Sequence, residues 1–225
     1  MLGALVDLLA PPACVACRQA GVTPLCAPCR RSLTFLAGQS VCPRCALPVP
    51  CGGRRRRCPA AGAPWRAAFA PVAYAGSAPA LVAALKFRGA LQCAELMAAQ
   101  ITAAAPAGLL DDGAVLVPVP THPARARGRG FDQAVVLGRQ LGRRTGLVVC
   151  LCLCRTGART RQLGAGRDER RQADRLQLHC RGLAPRRVVL VDDVHTTGAT
   201  LRAAAAAMRA AGAQDVVVVT WARTL

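Results

Sequence analysis

The second half of the chain alternates between short, continuously apolar runs and longer stretches with helical spacing. Valine-rich runs predict strands at 115–119, 148–153, 188–191 and 216–220. Apolar residues three and four positions apart predict helices at 130–145 and 199–211. Runs that are apolar at every position are typical of strands buried on both faces, and therefore of a parallel sheet. We expect an α/β layered domain with helices flanking that sheet.

The stretch that precedes this domain carries a similar but weaker pattern. Alternation over Ala68–Ala75 predicts strands, and Ala78–Phe87 predicts a helix with Leu81, Ala84 and Leu85 facing inward. A second helix is expected over about Leu91–Ala104. Further along, Arg155–Asp174 is polar and rich in arginine, so we expect a long mobile loop there.

The N-terminal region differs in composition from everything that follows. Residues 11–64 hold eight of the 13 cysteines and many prolines, and they show little hydrophobic periodicity. Such a segment cannot form a core alone and needs covalent or metal cross-links. We therefore divide the chain into a cysteine-rich module at 1–64 and an α/β domain at 65–225.

The first ten residues, MLGALVDLLA, are apolar but short, and they lack a basic start. They resemble neither a signal peptide nor a membrane span. We expect a short helix that packs on the body of the protein. No apolar run in the chain reaches membrane-spanning length, so we expect a cytoplasmic protein whose cysteines bind metal in a reducing compartment.

The cysteines of the module come in spaced pairs. Cys14/Cys17, Cys26/Cys29 and Cys42/Cys45 are each separated by two residues, whereas Cys51 and Cys58 are spaced irregularly. All eight are candidate metal ligands. A pair with this spacing directs two thiolates at one ion, and two pairs complete tetrahedral Zn²⁺ coordination. One zinc is expected and two are plausible, because the sequence does not decide which pairs share an ion.

The chain is strongly basic, with a formal net charge of +19. Such a charge favours polyanionic partners, including nucleic acid. Of the 30 basic residues, only Lys86 is a lysine, and this arginine bias is also typical of a GC-rich genome. Charge alone therefore leaves DNA binding and genome composition as alternatives. The same alternatives apply to Arg54–Arg57 in the module, which either contact phosphates or form a solvated loop.

One short segment combines an apolar run, two acids and a turn of small residues. Val188–Thr200 reads VVLVDDVHTTGAT, and a helix follows. Backbone N–H groups in such a turn can converge on a phosphate, assisted by the positive end of the helix. Asp192 and Asp193 would accept hydrogen bonds from a sugar diol or hold a divalent ion. We expect His195 to face solvent and assign it no catalytic role.

This segment resembles the signature of type I phosphoribosyltransferases, which bind phosphoribosyl pyrophosphate (PRPP). The resemblance implies that Asp192 and Asp193 contact the ribose hydroxyls and that Mg²⁺ accompanies PRPP. It also implies that the 5′-phosphate is held by the turn and the start of the helix, at Thr196, Thr197, Gly198, Ala199 and Thr200.

A second segment narrows the resemblance to one family. Val117–Gln133 reads VPVPTHPARARGRGFDQ, and Leu85–Gly89 reads LKFRG. Together with the cysteine-rich start, these segments resemble the ComF family of competence-associated proteins over essentially the whole chain. The candidates for contact with pyrophosphate are Lys86, Thr121, His122, Arg127 and Arg129.

The chain also departs from the pattern of that family. Asp132 replaces the usual Asn, and we expect it to pair with neighbouring arginines and weaken anion binding. Gln162, Arg167 and Arg170 match the family's loop only loosely, and we expect that loop to close over the ligand.

The ComF resemblance implies a PRPP-binding protein that handles incoming single-stranded DNA during natural transformation. An active phosphoribosyltransferase with an unknown nitrogenous acceptor is the alternative. Another is a scaffold whose zinc module contacts a competence helicase or translocation partner.

Overall fold

The computed structural model describes residues 12–52, 57–155 and 177–225. Its helices in these ranges are α1 Ala27–Arg31, α2 Ala78–Arg88, α3 Gln92–Ala104, α4 Pro123–Arg129, α5 Gln133–Thr145 and α6 Ala199–Ala210. Its strands are β1 Ala67–Phe69, β2 Val72–Ala73, β3 Val115–Pro118, β4 Val148–Val149, β5 Leu153–Arg155, β6 Leu178–Cys180, β7 Arg187–His195 and β8 Asp215–Arg223.

The main sheet is parallel and has the strand order β1-β8-β7-β3-β4, with β2 pairing further along β8. The longest pairing joins β7 to β8, and it runs from Arg187 opposite Asp215 to His195 opposite Arg223. The expected parallel α/β sheet flanked by helices, with a cysteine-rich N-terminal module, is confirmed.

Alternate residues of β7 enter two different cores. Val189 and Val191 pack with helices α2, α3 and α5, whereas Val188 and Leu190 pack with α6 on the opposite face. The cysteine-rich module contributes to both cores, since Cys14 belongs to the first and Cys45 to the second. Its two halves therefore lie on opposite faces of the sheet.

The module is joined to the α/β domain by backbone hydrogen bonds as well as by apolar packing. The Leu36 N–H donates to the Pro71 carbonyl, and the Ala73 N–H donates to the Thr34 carbonyl, each at 2.8 Å. The division at residues 64 and 65 stays a prediction, and these contacts cross it.

The single strand expected over 148–153 is wrong. The chain forms β4, leaves the main sheet, and enters a separate antiparallel pair of β5 with β6. The apolar run supplies both cores, because Val149 packs on the α5 side and Leu153 on the α6 side.

The helix expected over 130–145 begins later than predicted. A separate helix, α4, ends at Arg129 and is capped by Gly130, whose φ of 78° is left-handed. The Asp132 carboxylate then accepts a hydrogen bond from the Ala134 N–H at 2.9 Å, so α5 begins at Gln133.

The strand that carries the acid pair is longer than its apolar run. β7 continues through Asp192 and Asp193 to His195, because β8 continues to Arg223 and keeps pairing with it. The acids therefore lie on the strand, and only residues 196–198 form the turn. The last strand, expected over 216–220, is correspondingly longer.

Several predictions fall on residues outside the described ranges. They are the opening helix at Met1–Ala10, the arginines Arg54–Arg56, and the loop residues Gln162, Arg167 and Arg170. Among the helices of the described ranges, none combines the length and the apolar character needed to cross a bilayer.

Candidate functional site

The turn between β7 and α6 presents backbone N–H groups without protein acceptors. Within the described residues, the N–H groups of Thr196, Thr197 and Gly198 donate to no hydrogen-bond acceptor. The Ala199 N–H reaches only the Thr197 hydroxyl, at 3.4 Å. Thr196 and Thr197 are exposed, and α6 begins immediately after them. Free amides beside a helix N-terminus form a suitable environment for an anion.

Gly198 is required by both its backbone conformation and its surroundings. Its φ of 79° lies in the left-handed region. A Cβ at this position would lie 2.8 Å from Nε2 of His195. The turn can therefore approach the buried imidazole only without a side chain at residue 198.

The two acids before the turn have different environments. The Asp193 carboxylate is buried and forms an ion pair with Lys86, whose Nζ lies 2.6 Å away. Asp192 is half-buried, and its Oδ1 accepts the Asp193 N–H at 2.8 Å. Burial, followed by the charge of Asp193, raises the pKa of Asp192 well above its usual range, while Lys86 opposes the shift. A proton, a cation or hydroxyl donors would relieve this repulsion.

The loop after β3 lies beside the acid pair, because β3 is the parallel neighbour of β7. The Thr121 N–H donates to Oδ2 of Asp132 at 2.8 Å, and Nδ1 of His122 accepts the Ala124 N–H at 3.2 Å. Contrary to expectation, the hydrogen bonds of Asp132 are to backbone N–H groups rather than to arginines. Asp132 holds this loop in place. Because it accepts the Thr121 N–H, that amide is not available to a phosphate.

The arginines singled out on α4 have unequal surroundings. Arg129 is half-buried, donates to the Gln133 side chain at 2.9 Å, and lies 4.9 Å from the centre of the Phe87 ring. Arg127 is exposed on the same helix. Of the two, Arg127 has the freer side chain.

Sequence reasoning missed Arg125 and Arg155. Burial, followed by the positive charge of Arg125, lowers the pKa of Arg155, and the charge of Asp192 opposes that shift. Arg155 is the last residue of β5, and its charge interacts with that of Asp192. Its position after an apolar run and before a polar loop was the available signal, but the incorrect strand assignment concealed it.

The prediction that His195 faces solvent is wrong. Its side chain is buried and contacts Trp65 edge-on, with the ring centres 6.0 Å apart. Trp65 lies 130 positions earlier in the chain, so no local pattern indicated this contact. Burial, followed by the charges of Arg223 and Arg202, lowers the pKa of His195 to about 4.

We expect this buried imidazole to make the protein less stable in mild acid. The pKa in the folded state is about 4 against an ordinary value of 6.5, so the unfolded chain takes up the proton first. Stability is full above pH 6.5 and falls by about 3 kcal/mol as the pH drops to 4. Urea unfolding of wild type and His195→Gln across this range measures the difference. Identical pH slopes for the two proteins would contradict the assignment.

The eight cysteines of the module form two separate clusters. Cys14, Cys17, Cys26 and Cys29 make up the first cluster, and Cys42, Cys45, Cys51 and Cys58 make up the second. The sulfurs of each cluster all lie within 4.8 Å of one another. Tetrahedral zinc thiolates place sulfurs about 3.8 Å apart, and the Cys17–Cys26 and Cys42–Cys58 separations are 3.5 and 3.7 Å. Both donor sets fit Zn²⁺, so the geometry favours two ions over one.

The first cysteine of each cluster is prepared for ionisation. Burial alone would raise the pKa of Cys14, but backbone N–H groups of Cys17, Cys26 and Ala16 outweigh it and lower the pKa to about 6. At Cys42 burial is likewise outweighed, here by the backbone of Arg44 and Cys45, and the pKa is about 7. Thiolates are the form that binds metal. All 13 cysteines are free thiols, which leaves every ligand available.

Comparisons with known proteins agree with this metal-binding arrangement. Residues 5–62 match the family described as a double zinc ribbon domain. The DNA utilization protein YhgH of Escherichia coli (strain K12) is 32% identical over 240 residues, covering 97% of this chain and 100% of that protein. The DNA utilization protein YhgH of Salmonella typhimurium is 31% identical over 215 residues, covering 89% of this chain and 91% of its own.

Proposed function

This chain belongs to the family of the DNA utilization protein YhgH, and we propose that it acts in DNA uptake while binding PRPP or a related sugar phosphate in the β7–α6 turn. One observation carries the ligand proposal. The amides of Thr196, Thr197 and Gly198 are free of protein acceptors, directly after two carboxylates at the end of a central strand. Ligands of open parallel sheets bind at the carboxyl ends of the strands.

In this proposal each part of the ligand meets a different group. The 5′-phosphate accepts hydrogen bonds from the free amides. The ribose hydroxyls donate hydrogen bonds to Asp192, the more accessible of the two acids. Mg²⁺ arrives with the pyrophosphate, whose oxygens are its usual ligands. The residues expected to face the pyrophosphate from the neighbouring elements are Lys86, Thr121, His122, Arg125, Arg127 and Arg155.

The substitution Asp192→Asn tests this ligand. It replaces the carboxyl group that we propose accepts the ribose hydroxyls by an amide, but leaves the buried pair of Asp193 with Lys86 intact. Because hydrogen bonds to charged groups contribute about 1.5–3 kcal/mol, we expect PRPP affinity to fall roughly tenfold or more. Isothermal titration with PRPP and Mg²⁺ measures it.

Asp215→Asn is the matched control, because Asp215 begins β8 at the opposite edge of the sheet and pairs with Arg66. We expect it to keep the affinity of wild type. Equal affinity for PRPP in all three proteins would place the ligand elsewhere.

We further propose that single-stranded DNA contacts the first zinc ribbon. A groove of about 620 Å³ lies between α1 and α3, and no acidic residue is among those that line it. The groove is lined by Ala27, Arg30, Arg31, Phe35, Leu96, Ala99, Gln100 and Ala103. The Phe35 ring is 42% exposed, which is enough to stack on a base, and the two arginines can meet phosphates.

The affinity for a labelled oligothymidine tests this surface. Loss of one stacking platform costs about 1–3 kcal/mol, so we expect Phe35→Ala to weaken binding roughly tenfold. The pair Arg30→Gln and Arg31→Gln should flatten the salt dependence by about 1.4 log units per log unit of salt. Fluorescence anisotropy over a salt series gives both results.

Arg143 and Arg144 are exposed on α5 and do not line the groove. Changing these two arginines to glutamine removes the same amount of charge. We expect it to change the salt dependence of DNA affinity less than the changes at Arg30 and Arg31 do. The alternative is that the module serves as a scaffold for a competence helicase. In that case Phe35→Ala would bind DNA as tightly as wild type does.

A further inference from the structure

The side chain of Arg223 lies inside the protein, between the second zinc cluster and the phosphate-binding turn. It is 5% exposed, and its Nε donates to the Cys45 carbonyl at 2.8 Å. Its Nη1 lies 2.7 Å from the carbonyl oxygens of both His195 and Thr196. One guanidinium thus contacts the cluster residue Cys45, the last residue of β7 and the first residue of the turn.

Other contacts join the same two regions. Trp65 donates from Nε1 to the Arg44 carbonyl at 2.9 Å, and its ring packs against His195. Arg202, on the first turn of α6, lies 5.5 Å from the centre of the Trp65 ring and donates to the Pro59 carbonyl. The second ribbon is therefore linked to the turn through Arg223 and to His195 through Trp65, and its Pro59 directly contacts the helix after the turn.

The first ribbon is joined to other elements. Arg88, at the end of α2, donates to the Val15 carbonyl at 3.0 Å, and Gln92 of α3 donates to the Thr23 hydroxyl at 3.3 Å. These contacts lie on the opposite face of the sheet from α6. The two zinc sites are alike in their ligands and differ in what they touch, so each provides a control for the other.

Peptide geometry explains how Arg223 acts on the turn. In a trans peptide the C=O and the following N–H point in opposite directions. With the carbonyls of His195 and Thr196 held toward Arg223, the N–H groups of Thr196 and Thr197 must face away from it. These are two of the amides that remain free for a phosphate. The guanidinium thus sets the direction of donors that it does not itself touch.

The metal site reaches Arg223 through the backbone. Zinc bound by four cysteines would fix the ribbon around them, and the carbonyl of one of them, Cys45, accepts the Arg223 Nε–H at 2.8 Å. An ordered second zinc site would therefore hold this acceptor in place.

We propose that the second zinc site presets the phosphate-binding turn through Arg223, which acts as a positioning residue, whereas the first zinc site does not. This inference rests on the proposed function, because the turn is taken to be the binding site for a sugar phosphate. The consequence is that occupancy of one of two similar zinc sites controls the affinity for PRPP.

The substitution Arg223→Lys tests the positioning role. It keeps the positive charge but removes the separate Nε and Nη1 donors that reach Cys45 on one side and the turn on the other. Losing hydrogen bonds from a charged donor predicts PRPP binding weaker by about tenfold, with two zinc ions per chain retained. Arg88→Lys makes the same change at the first ribbon, and we expect it to bind PRPP as wild type does. Equal PRPP affinity in the two variants overturns the proposal.

A second measurement is independent of PRPP. The Thr224 N–H donates to the His195 carbonyl at 3.1 Å, so its hydrogen exchange reports the end of the β7–β8 pairing. Cys58→Ser should lower the zinc content by one and speed this exchange. Cys29→Ser should lower the zinc content equally and speed this exchange much less. Equal exchange in both variants overturns the coupling.

The two measurements keep the proposals apart. If wild type binds no PRPP, the ligand proposal fails, and the exchange experiment still decides whether the second zinc site controls the turn.

Discussion

Removing zinc with a strong chelator is expected to unfold the cysteine-rich module and to destabilise the sheet that it covers. Cys14 and Cys45 are fully buried in the two cores, so disorder at either cluster exposes apolar surface of the α/β domain. Structural zinc contributes about 10–16 kcal/mol of apparent folding free energy in small zinc peptides. We expect the thermal midpoint to fall by more than about 10 °C.

Thermal unfolding followed by circular dichroism, with zinc release measured in the same sample, checks this expectation. Added Zn²⁺ should restore the midpoint, whereas Ca²⁺ should not, because thiolates select the softer ion. A midpoint that is unchanged after both ions have been released would show that the clusters do not hold the module together.

The second large effect is expected for Gly76→Ala. Gly76 precedes α2 where the first ribbon docks, and a Cβ there would lie 2.1 Å from the Ser32 carbonyl oxygen. Its φ of 58° adds backbone strain. Because the obstacle is backbone, relief requires the ribbon to move and breaks the 2.6 Å contact between the Ser32 and Ser77 hydroxyls. We expect a loss of roughly 3 kcal/mol or more.

Gly113→Ala is the matched control, since Gly113 has a φ of 78° and no atom near the position of its Cβ. It carries the backbone strain alone, which is about 1 kcal/mol. Urea unfolding of both variants separates steric conflict from strain. Equal losses of unfolding free energy in the two variants would mean that the first ribbon can move away from residue 76 at little cost.

The sheet was predictable because its central strands are buried on both faces. Val188–Val191 and Val216–Thr220 are apolar at nearly every position, and a parallel interior strand leaves that pattern whatever its neighbours are. The ends of the elements were less predictable. β7 continues through two acids beyond its apolar run, because its partner strand β8 also continues. An apolar pattern does not reveal such pairing between residues that are distant in sequence.

The sequence predicts which cysteines are metal ligands, but not which four of them bind the same ion. Close cysteine pairs indicate zinc, and Cys51 and Cys58 are candidate ligands too, but their irregular spacing does not show which cysteines they join at one ion. Only the fold brings them to Cys42 and Cys45. The same reason hid Arg223 and Trp65, which lie far from the turn in sequence and come close to it only in the fold.

A crystal structure of the protein with PRPP and Mg²⁺ is the most direct measurement of the ligand that we assign to the turn. We expect oxygens of the 5′-phosphate to accept hydrogen bonds from the Thr196, Thr197 and Gly198 amides, and a ribose hydroxyl to donate to Asp192. A sugar phosphate bound at any other place, with those amides facing only solvent, would contradict the account.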